Sequence, residues 1–341
     1  MSNPDFSDRF REALDSEDSL VEAAVSRDPV TTFAESVARG LGAARKSLDC
    51  RFLYDAEGSR LFEEITAQPE YYPTRTEAEI LERHAGEIHA MTGPVTLVEL
   101  GSGYSVKTEH LLSAYAGDDA RYVPVDVSAG ALRAAEQSIG DSFPEVNFTG
   151  IRGTYASAFR VLRELSPQML VFLGSTIGNF EAHERRAFWH DVQAHLPLGD
   201  WFLLGADLVK DRDTLLAAYD DAAGVTAHFT KNYFARMNRE LDSGVDLGSV
   251  EHRAVWNDSL DRIEIYAEFT SAQAIRVAPL GRSFDVGEGE RIRVEVSQKF
   301  RLPELTEELE RFGLEARSSF TDDRGWFGLL LLQRVREHAS S

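Results

Sequence analysis

Apolar positions change their period twice along this chain. From Thr31 to Leu48 they recur at helical spacing, at Phe33, Val37 and Leu41. The next stretch, RFLYDAEGSRLFEEITAQPEYYPTRTEAEILERHA, predicts two helical segments broken around Pro69 and Pro73. It is unusually rich in tyrosine for a connection, with Tyr54, Tyr71 and Tyr72. From Val95 short apolar runs alternate with helical segments: VTLVEL, then a helix from about Val106; RYVPVDV, then one from Ala129; VNFTGIRG, then one through Phe159; MLVFLG, then HERRAFWHDVQAHL; and WFLLGADLV. Continuous apolar strands, each followed by a helix, predict a parallel sheet covered on both faces, a doubly wound α/β architecture. After Lys210 the alternation stops. One helical stretch, DTLLAAYDDAAGVTAHFTKNYFARMNREL, leads to β-like runs around HRAVWN, RIEIYAEFT and RIRVEVSQKF, the pattern of a second, smaller α+β module. A helix (LPELTEELERFG) and two strands (LEARSSFTD and WFGLLLLQRV) then finish the first domain.

Composition narrows the function. The chain has 341 residues, of which 43% are hydrophobic, enough for a substantial core. Its 57 acidic against 36 basic residues give a net charge of −21, which repels nucleic acid and anionic membranes. The single cysteine, Cys50, excludes an intramolecular disulfide and a multi-thiolate metal site, and fits a reducing cytoplasm. The nine histidines lack ligand spacing; His183 and His190, seven apart, read as a helix surface, so no metal is implied. The first 20 residues are charged throughout, with no apolar signal core, and FGLLLL is too short to span a bilayer. Residues 1 to about 30 are acidic and expected to fray or form an isolated helix, with no chemistry of their own. A cytoplasmic monomer with a small-molecule substrate is the expectation.

The chemistry gathers at strand ends. In VTLVELGSGYSVKT, Gly101 and Gly103 let backbone approach a ligand where a Cβ would collide, beside the amino end of a helix. A dinucleotide fingerprint expects a small residue at the sixth position, where GSGYSV has Val106. That argues against a nicotinamide or flavin cofactor. The preceding Glu99 suggests a ligand without phosphates, S-adenosylmethionine. Asp126 closes the next strand, where a carboxylate accepts hydrogen bonds from both ribose hydroxyls. Thr154 and Tyr155 in RGTY stand where adenine would be clasped, and serve equally well as a buried polar turn. VFLGSTIGNF brings Gly174 and Asn179 to the topological switch of the sheet, where open α/β sheets bind ligands.

Taken together, FLYDAEGSRLFEEIT, PEYYPTRTEAEIL, VELGSGYSVKT, FLGSTIGNF, LLGADLVKD, AYDDAAGVTAHF, NRELD and EVSQKF closely resemble the histidine-specific, S-adenosylmethionine-dependent N-methyltransferases of ergothioneine biosynthesis, from about residue 30 to 334. The resemblance implies trimethylation of the α-amino group of L-histidine to hercynine, on a class I (Rossmann-like) methyltransferase fold with a smaller substrate domain. The domains would then be a leader (1–30), N-terminal helices of the substrate domain (31–75), the methyltransferase domain (76–207), the inserted α+β part (208–299) and the C-terminal completion (300–341). It implies that Gly101, Lys107, Asp126, Thr154 and Tyr155 hold the cofactor, Lys107 through its carboxylate. Tyr71, Asn179 and Tyr219 would surround the amino and carboxylate groups of the substrate, with Tyr54 nearby. Glu295 and Ser297, flanking Val296, would hold the imidazole, the acid accepting a ring N–H and the hydroxyl serving the other nitrogen.

Two positions depart from the family pattern. Its third-strand turn has the form G-D-F, where this chain has Gly153, Thr154 and Tyr155; a hydroxyl accepts the adenine amino bond more weakly than an acid. Ile265 stands at a substrate-facing position where the family has methionine, an apolar exchange of similar size. Methyl transfer to nitrogen requires a neutral amine, and a free α-amino group is mostly protonated near neutral pH. The expectation is that Asn179 and the tyrosines orient the amine lone pair while Tyr54 or a water passes the proton outward. Alternatives are methylation of another aromatic amino acid such as tryptophan, and a non-catalytic module that binds S-adenosylmethionine.

Overall fold

The computed structural model describes residues 6–14, 19–23 and 28–335. They form a nine-stranded sheet built on a parallel run: β1 (Leu20–Glu22), β2 (Thr96–Leu100), β3 (Arg121–Asp126), β5 (Gly150–Arg152), β6 (Gln168–Phe172) and β7 (Trp201–Asp207). A two-residue strand, β4 (Asn147–Phe148), pairs with β3, and the antiparallel hairpin β13 (Leu314–Thr321) and β14 (Phe327–Arg334) closes the far edge. The spatial order is β1-β5-β3-β2-β6-β7-β14-β13. The chain leaves β2 toward one edge and returns at β6 on its other side, so the crevice between the carboxyl ends of these two strands is the switch point. This is the class I methyltransferase arrangement.

Both faces of the sheet are covered, as the unbroken apolar strands require. On one side Val98, Val123, Leu170 and Phe172 join a core with helices α7 (Tyr155–Phe159), α8 (Ala182–His195) and α11 (Leu302–Glu310). On the other, Leu97, Tyr122, Met169 and Val171 pack with α4 (Pro73–Thr92), α5 (Thr108–Tyr115) and α6 (Ala129–Ser142).

The acidic leader is not an isolated or frayed appendage where it is described. Helix α1 (Phe6–Leu14) buries Phe6, Phe10 and Ala13 in the first core, and β1 extends the sheet by pairing in parallel with β5. Spacings of four and three residues put these apolar side chains on one helix face; the surrounding acids occupy the other.

A separate apolar cluster unites segments far apart in sequence. Helices α2 (Pro29–Leu41) and α3 (Ala56–Thr66) share it with α9 (Arg212–Tyr219), α10 (Val225–Leu241) and a three-stranded antiparallel sheet of β8 (Val250–Asn257), β9 (Arg262–Phe269) and β12 (Arg291–Gln298). A hairpin absent from the sequence reading, β10 (Gln273–Val277) and β11 (Arg282–Val286), packs on the same cluster. The stretch read as one helix is two. Gly224 takes a left-handed φ of +75°, and Asp221 accepts the Val225 and Thr226 N–H groups at 2.8 Å to start α10 afresh. Likewise α5 begins at Thr108 rather than near Val106, because Ser105 is left-handed at φ +58°.

Candidate active site

The loop after β2 passes through left-handed backbone at Gly101 (φ +69°) and Gly103 (φ +53°). A Cβ on Gly101 would stand 3.1 Å from the Tyr155 hydroxyl, whereas one on Gly103 would meet nothing. The loop therefore opens outward at Gly103. Asp126, at the end of β3, accepts the Gly103 N–H at 3.0 Å and the Ser128 N–H at 2.8 Å, leaving each oxygen a lone pair for a further donor. Burial raises its carboxyl above the ordinary value, against the pull of those N–H groups. Ser102 has a buried hydroxyl with no hydrogen-bond partner, and Val127, next to Asp126, is 58% exposed. A glycine cradle, a carboxylate, an orphaned hydroxyl and an uncovered apolar side chain suit a nucleoside without phosphates. Tyr155 packs edge-on to Phe172 at 5.4 Å beneath this loop, and Thr154 is exposed at the start of α7.

Glu99 plays another part than the sequence suggested. It is buried and accepts from Thr108 Oγ1 at 2.7 Å and from the Tyr122 hydroxyl, and burial pushes its carboxyl up to about 7. It anchors the loop from beneath. Lys107 is ion-paired with Glu77, a fully buried acid on α4 whose oxygens also accept the Gly174 N–H at 2.8 and 2.9 Å. Glu77 fits because residue 205 on β7 is glycine: a Cβ there would lie 2.1 Å from Glu77 Oε1. The sequence reading missed Glu77. A glycine inside an apolar strand, which marks a close approach, was the available signal.

Across the switch point, a 3₁₀ turn at Thr176–Asn179 carries Asn179 against β12. The Asn179 amide nitrogen donates to Glu295 Oε1 at 2.9 Å and to the Val296 carbonyl at 2.8 Å. Both its N–H groups are spent, so its carbonyl oxygen is the end left for a ligand. The turn can come so close because residue 178 is glycine; a Cβ there would lie 2.7 Å from the Gln298 carbonyl oxygen. Gly178→Ala is therefore expected to push the turn off β12, costing about 1–3 kcal/mol of stability and most of the turnover, as thermal melting and initial rates would show.

Alternation along β12 puts Glu295 and Ser297 on one face, with Lys299 following on the same side. Burial pushes the Glu295 carboxyl up to about 7, while Lys299 and Asn179 pull it back. Ser297 Oγ and the Tyr219 hydroxyl are 2.8 Å apart, and Tyr71 stands edge-on to Tyr219 at 6.1 Å. Phe62 links Tyr71 to Tyr54, whose ring also meets Phe229 at 5.5 Å. Ile265 is buried on β9 directly opposite Glu295 in the ladder. Burial, with Glu295 adding to it, raises the Tyr54 phenol well above its ordinary value. Tyr54 therefore stands as a neutral hydroxyl and not as an ionised base.

Behind these groups lies a charged cluster that the sequence reading did not pick out. Lys299 donates to Tyr219 Oη and Ser297 Oγ, both at 2.8 Å, and pairs with Asp207 Oδ2 at 2.8 Å. Asp207, at the end of β7, also pairs with Lys210 and accepts from the Tyr72 hydroxyl at 2.8–2.9 Å. The chain after β12 runs beside the end of β7, with Phe300 N–H donating to the Asp207 carbonyl at 2.8 Å, which brings the two charges together. LLGADLVKD carried Asp207 and Lys210, and EVSQKF carried Lys299; a charge ending an apolar strand was the legible hint.

The sequence profile of the S-adenosylmethionine-dependent, histidine-specific methyltransferases matches residues 33–334. The chain belongs to this family. The histidine N-alpha-methyltransferase of Mycolicibacterium smegmatis is 46% identical over 300 residues, covering 87% of this chain and 94% of the relative. That of Mycobacterium tuberculosis is 41% identical over 294 residues, covering 86% and 92%. An L-tryptophan methyltransferase of Psilocybe serbica is 28% identical over 319 residues, covering 84% and 88%. No helix among the described residues is long and apolar enough to cross a membrane.

Proposed function

We propose that this protein trimethylates the α-amino group of L-histidine to hercynine, a step of ergothioneine biosynthesis, with S-adenosylmethionine as methyl donor, and acts as a cytoplasmic monomer without nucleic-acid or membrane partners. The observation that carries the site assignment is the Asn179–Glu295 hydrogen bond. It joins the residue expected at the reacting amine to the acid expected at the ring.

In this reading Gly101, Asp126, Thr154 and Tyr155 hold the nucleoside of the donor, and Lys107, steadied by Glu77, meets its carboxylate. When bound, the donor supplies an electrophilic methyl group on a sulfonium. Histidine is held at both ends. Glu295 accepts one ring N–H and Ser297 serves the other ring nitrogen, with Val296 giving its carbonyl to Asn179 and Ile265 closing the pocket wall. Tyr71 and Tyr219 take the carboxylate. The free carbonyl oxygen of Asn179 accepts an N–H of the neutral amine, which turns the nitrogen lone pair away from it; positioning is most of the catalysis. Tyr54 or a water carries protons out. The rings of Tyr54, Phe62, Tyr71 and Phe229 suit the fixed cation that accumulates with each methylation.

The test is incubation with labelled donor and a panel of free amino acids, read by mass spectrometry. Histidine is expected to gain three methyl groups and tryptophan none; the reverse would transfer the protein to the tryptophan-methylating reading. Asn179→Ala should lower kcat by roughly 10²-fold while S-adenosylhomocysteine still binds by calorimetry. Loss of that binding would move Asn179 out of the amine site.

A further inference from the structure

Lys299 is buried, and its three N–H bonds are all spent, on Asp207, Tyr219 and Ser297, each at 2.8 Å. It cannot reach a substrate itself. What it does reach are two hydroxyls assigned to the two ends of histidine. Those hydroxyls are also 2.8 Å from each other, so one of their two hydrogens is consumed between them and one remains for the ligand.

Charge makes the arrangement directional. Asp207 faces two ammonium groups, Lys299 and Lys210, so the contacting trio carries one positive charge more than it can neutralise. Of the other charges that act on it, Glu295 on β12 offsets part of the excess on Lys299, while Asp322 is engaged with Arg324 and with the N–H groups of Trp326 and Phe327. Burial shifts both lysines toward the neutral form, as expected for cations held out of water without a full set of counter-charges. An anion arriving at the Tyr219 hydroxyl would supply what is missing. A hydroxyl that accepts a hydrogen bond from an ammonium is also a stronger donor to an anion on its other side.

We propose that Lys299 is the positioning residue that makes this pocket select an α-amino acid over its carboxylate-free counterpart, presenting its charge to the substrate carboxylate through the hydroxyl of Tyr219, with Ser297 fixing the direction of that hydroxyl. This rests on the histidine-methylating reading above. It adds a role for a residue that touches neither substrate nor donor, and it makes carboxylate recognition the work of a buried cation as well as of two tyrosines.

The experiment compares L-histidine with L-histidinamide, a neutral isostere at the carboxyl end, by calorimetry in the presence of S-adenosylhomocysteine. Lys299→Met removes the charge and all three bonds; Lys299→Gln removes the charge but keeps an N–H donor. Binding of S-adenosylhomocysteine and the thermal midpoint report on folding of each variant. Both are expected to bind histidine at least tenfold more weakly than the unaltered protein, with histidinamide changed less than threefold. Equal weakening of both ligands would mean that Lys299 only supports the local structure and would overturn the proposal, as would unchanged preference for histidine. Should Lys299→Met fail to fold, Lys299→Gln alone decides. If the unaltered protein binds no histidine, the substrate reading falls together with this one; if it does and the variants keep its preference, this one falls alone.

Discussion

Glu295→Ala is expected to weaken histidine binding by about 10- to 150-fold, the equivalent of the ~1.5–3 kcal/mol lost when a buried N–H is deprived of a charged acceptor. The substitution also takes one of two acceptors from the Asn179 amide, so turnover should fall with affinity. Glu295→Gln isolates the charge. Burial holds the carboxyl at about 7, so near neutral pH a substantial fraction is protonated before substrate arrives. A ring N–H favours the carboxylate, so histidine affinity should rise with pH through about 7, and the part of the rise due to Glu295 should vanish in Glu295→Gln. Stability runs the other way. The folded pKa lies above the ordinary value of 4.5, so this group's contribution to stability is fully present below about 4.5 and is lost as pH rises through about 7. Calorimetry between about pH 6 and 8 checks the binding limb. Unchanged affinity in Glu295→Ala would remove this residue from the substrate site.

Glu77→Ala is expected to be the most destabilising single change near the site, by roughly 3 kcal/mol. Glu77 is fully buried, carries the ion pair to Lys107 and takes the Gly174 N–H with both oxygens. Its loss leaves that N–H without an acceptor and a void beside Gly205. Because Lys107 and Gly174 flank the switch point from β2 and β6, S-adenosylhomocysteine binding should weaken as well. Glu77→Gln, which retains an acceptor for Gly174, should recover part of the stability while leaving Lys107 without its counter-charge. Thermal or urea denaturation with calorimetry of S-adenosylhomocysteine reads both effects, and a midpoint like that of the unaltered protein would contradict the account.

The parallel sheet was legible because β2, β3, β6 and β7 are continuous apolar runs, a pattern that leaves few arrangements besides burial on both faces. Shorter elements were not. β1 is three residues long within an acidic segment, and its identity comes from the edge that β5 offers it. The hairpin β10–β11 alternates exposed and buried positions too briefly to stand out from its turns. Gly101, Asp126, Thr154, Tyr155 and Asn179 followed from strand ends, whereas Tyr71, Tyr219, Glu295, Val296 and Ser297 followed from the family resemblance. Contacts now join Asn179 to Glu295 and Val296, and Tyr219 to Ser297 and Tyr71, while Tyr155 fills the space a side chain at Gly101 would need.

Sequence by itself determined the class of fold, the family and the loops that meet at the switch point, because periodicity and motif spacing are properties of neighbouring residues. Tertiary structure decided the charges behind those loops. Glu77 reads as a surface acid on an amphipathic helix, and Asp207 and Lys299 lie 92 positions apart by their numbering. Only the packing of α4 against Gly205, and of the chain after β12 against the end of β7, takes these groups out of water. Once there, desolvation makes an unpaired charge so costly that each must find its partner, and those partners lie directly behind the residues of the candidate site.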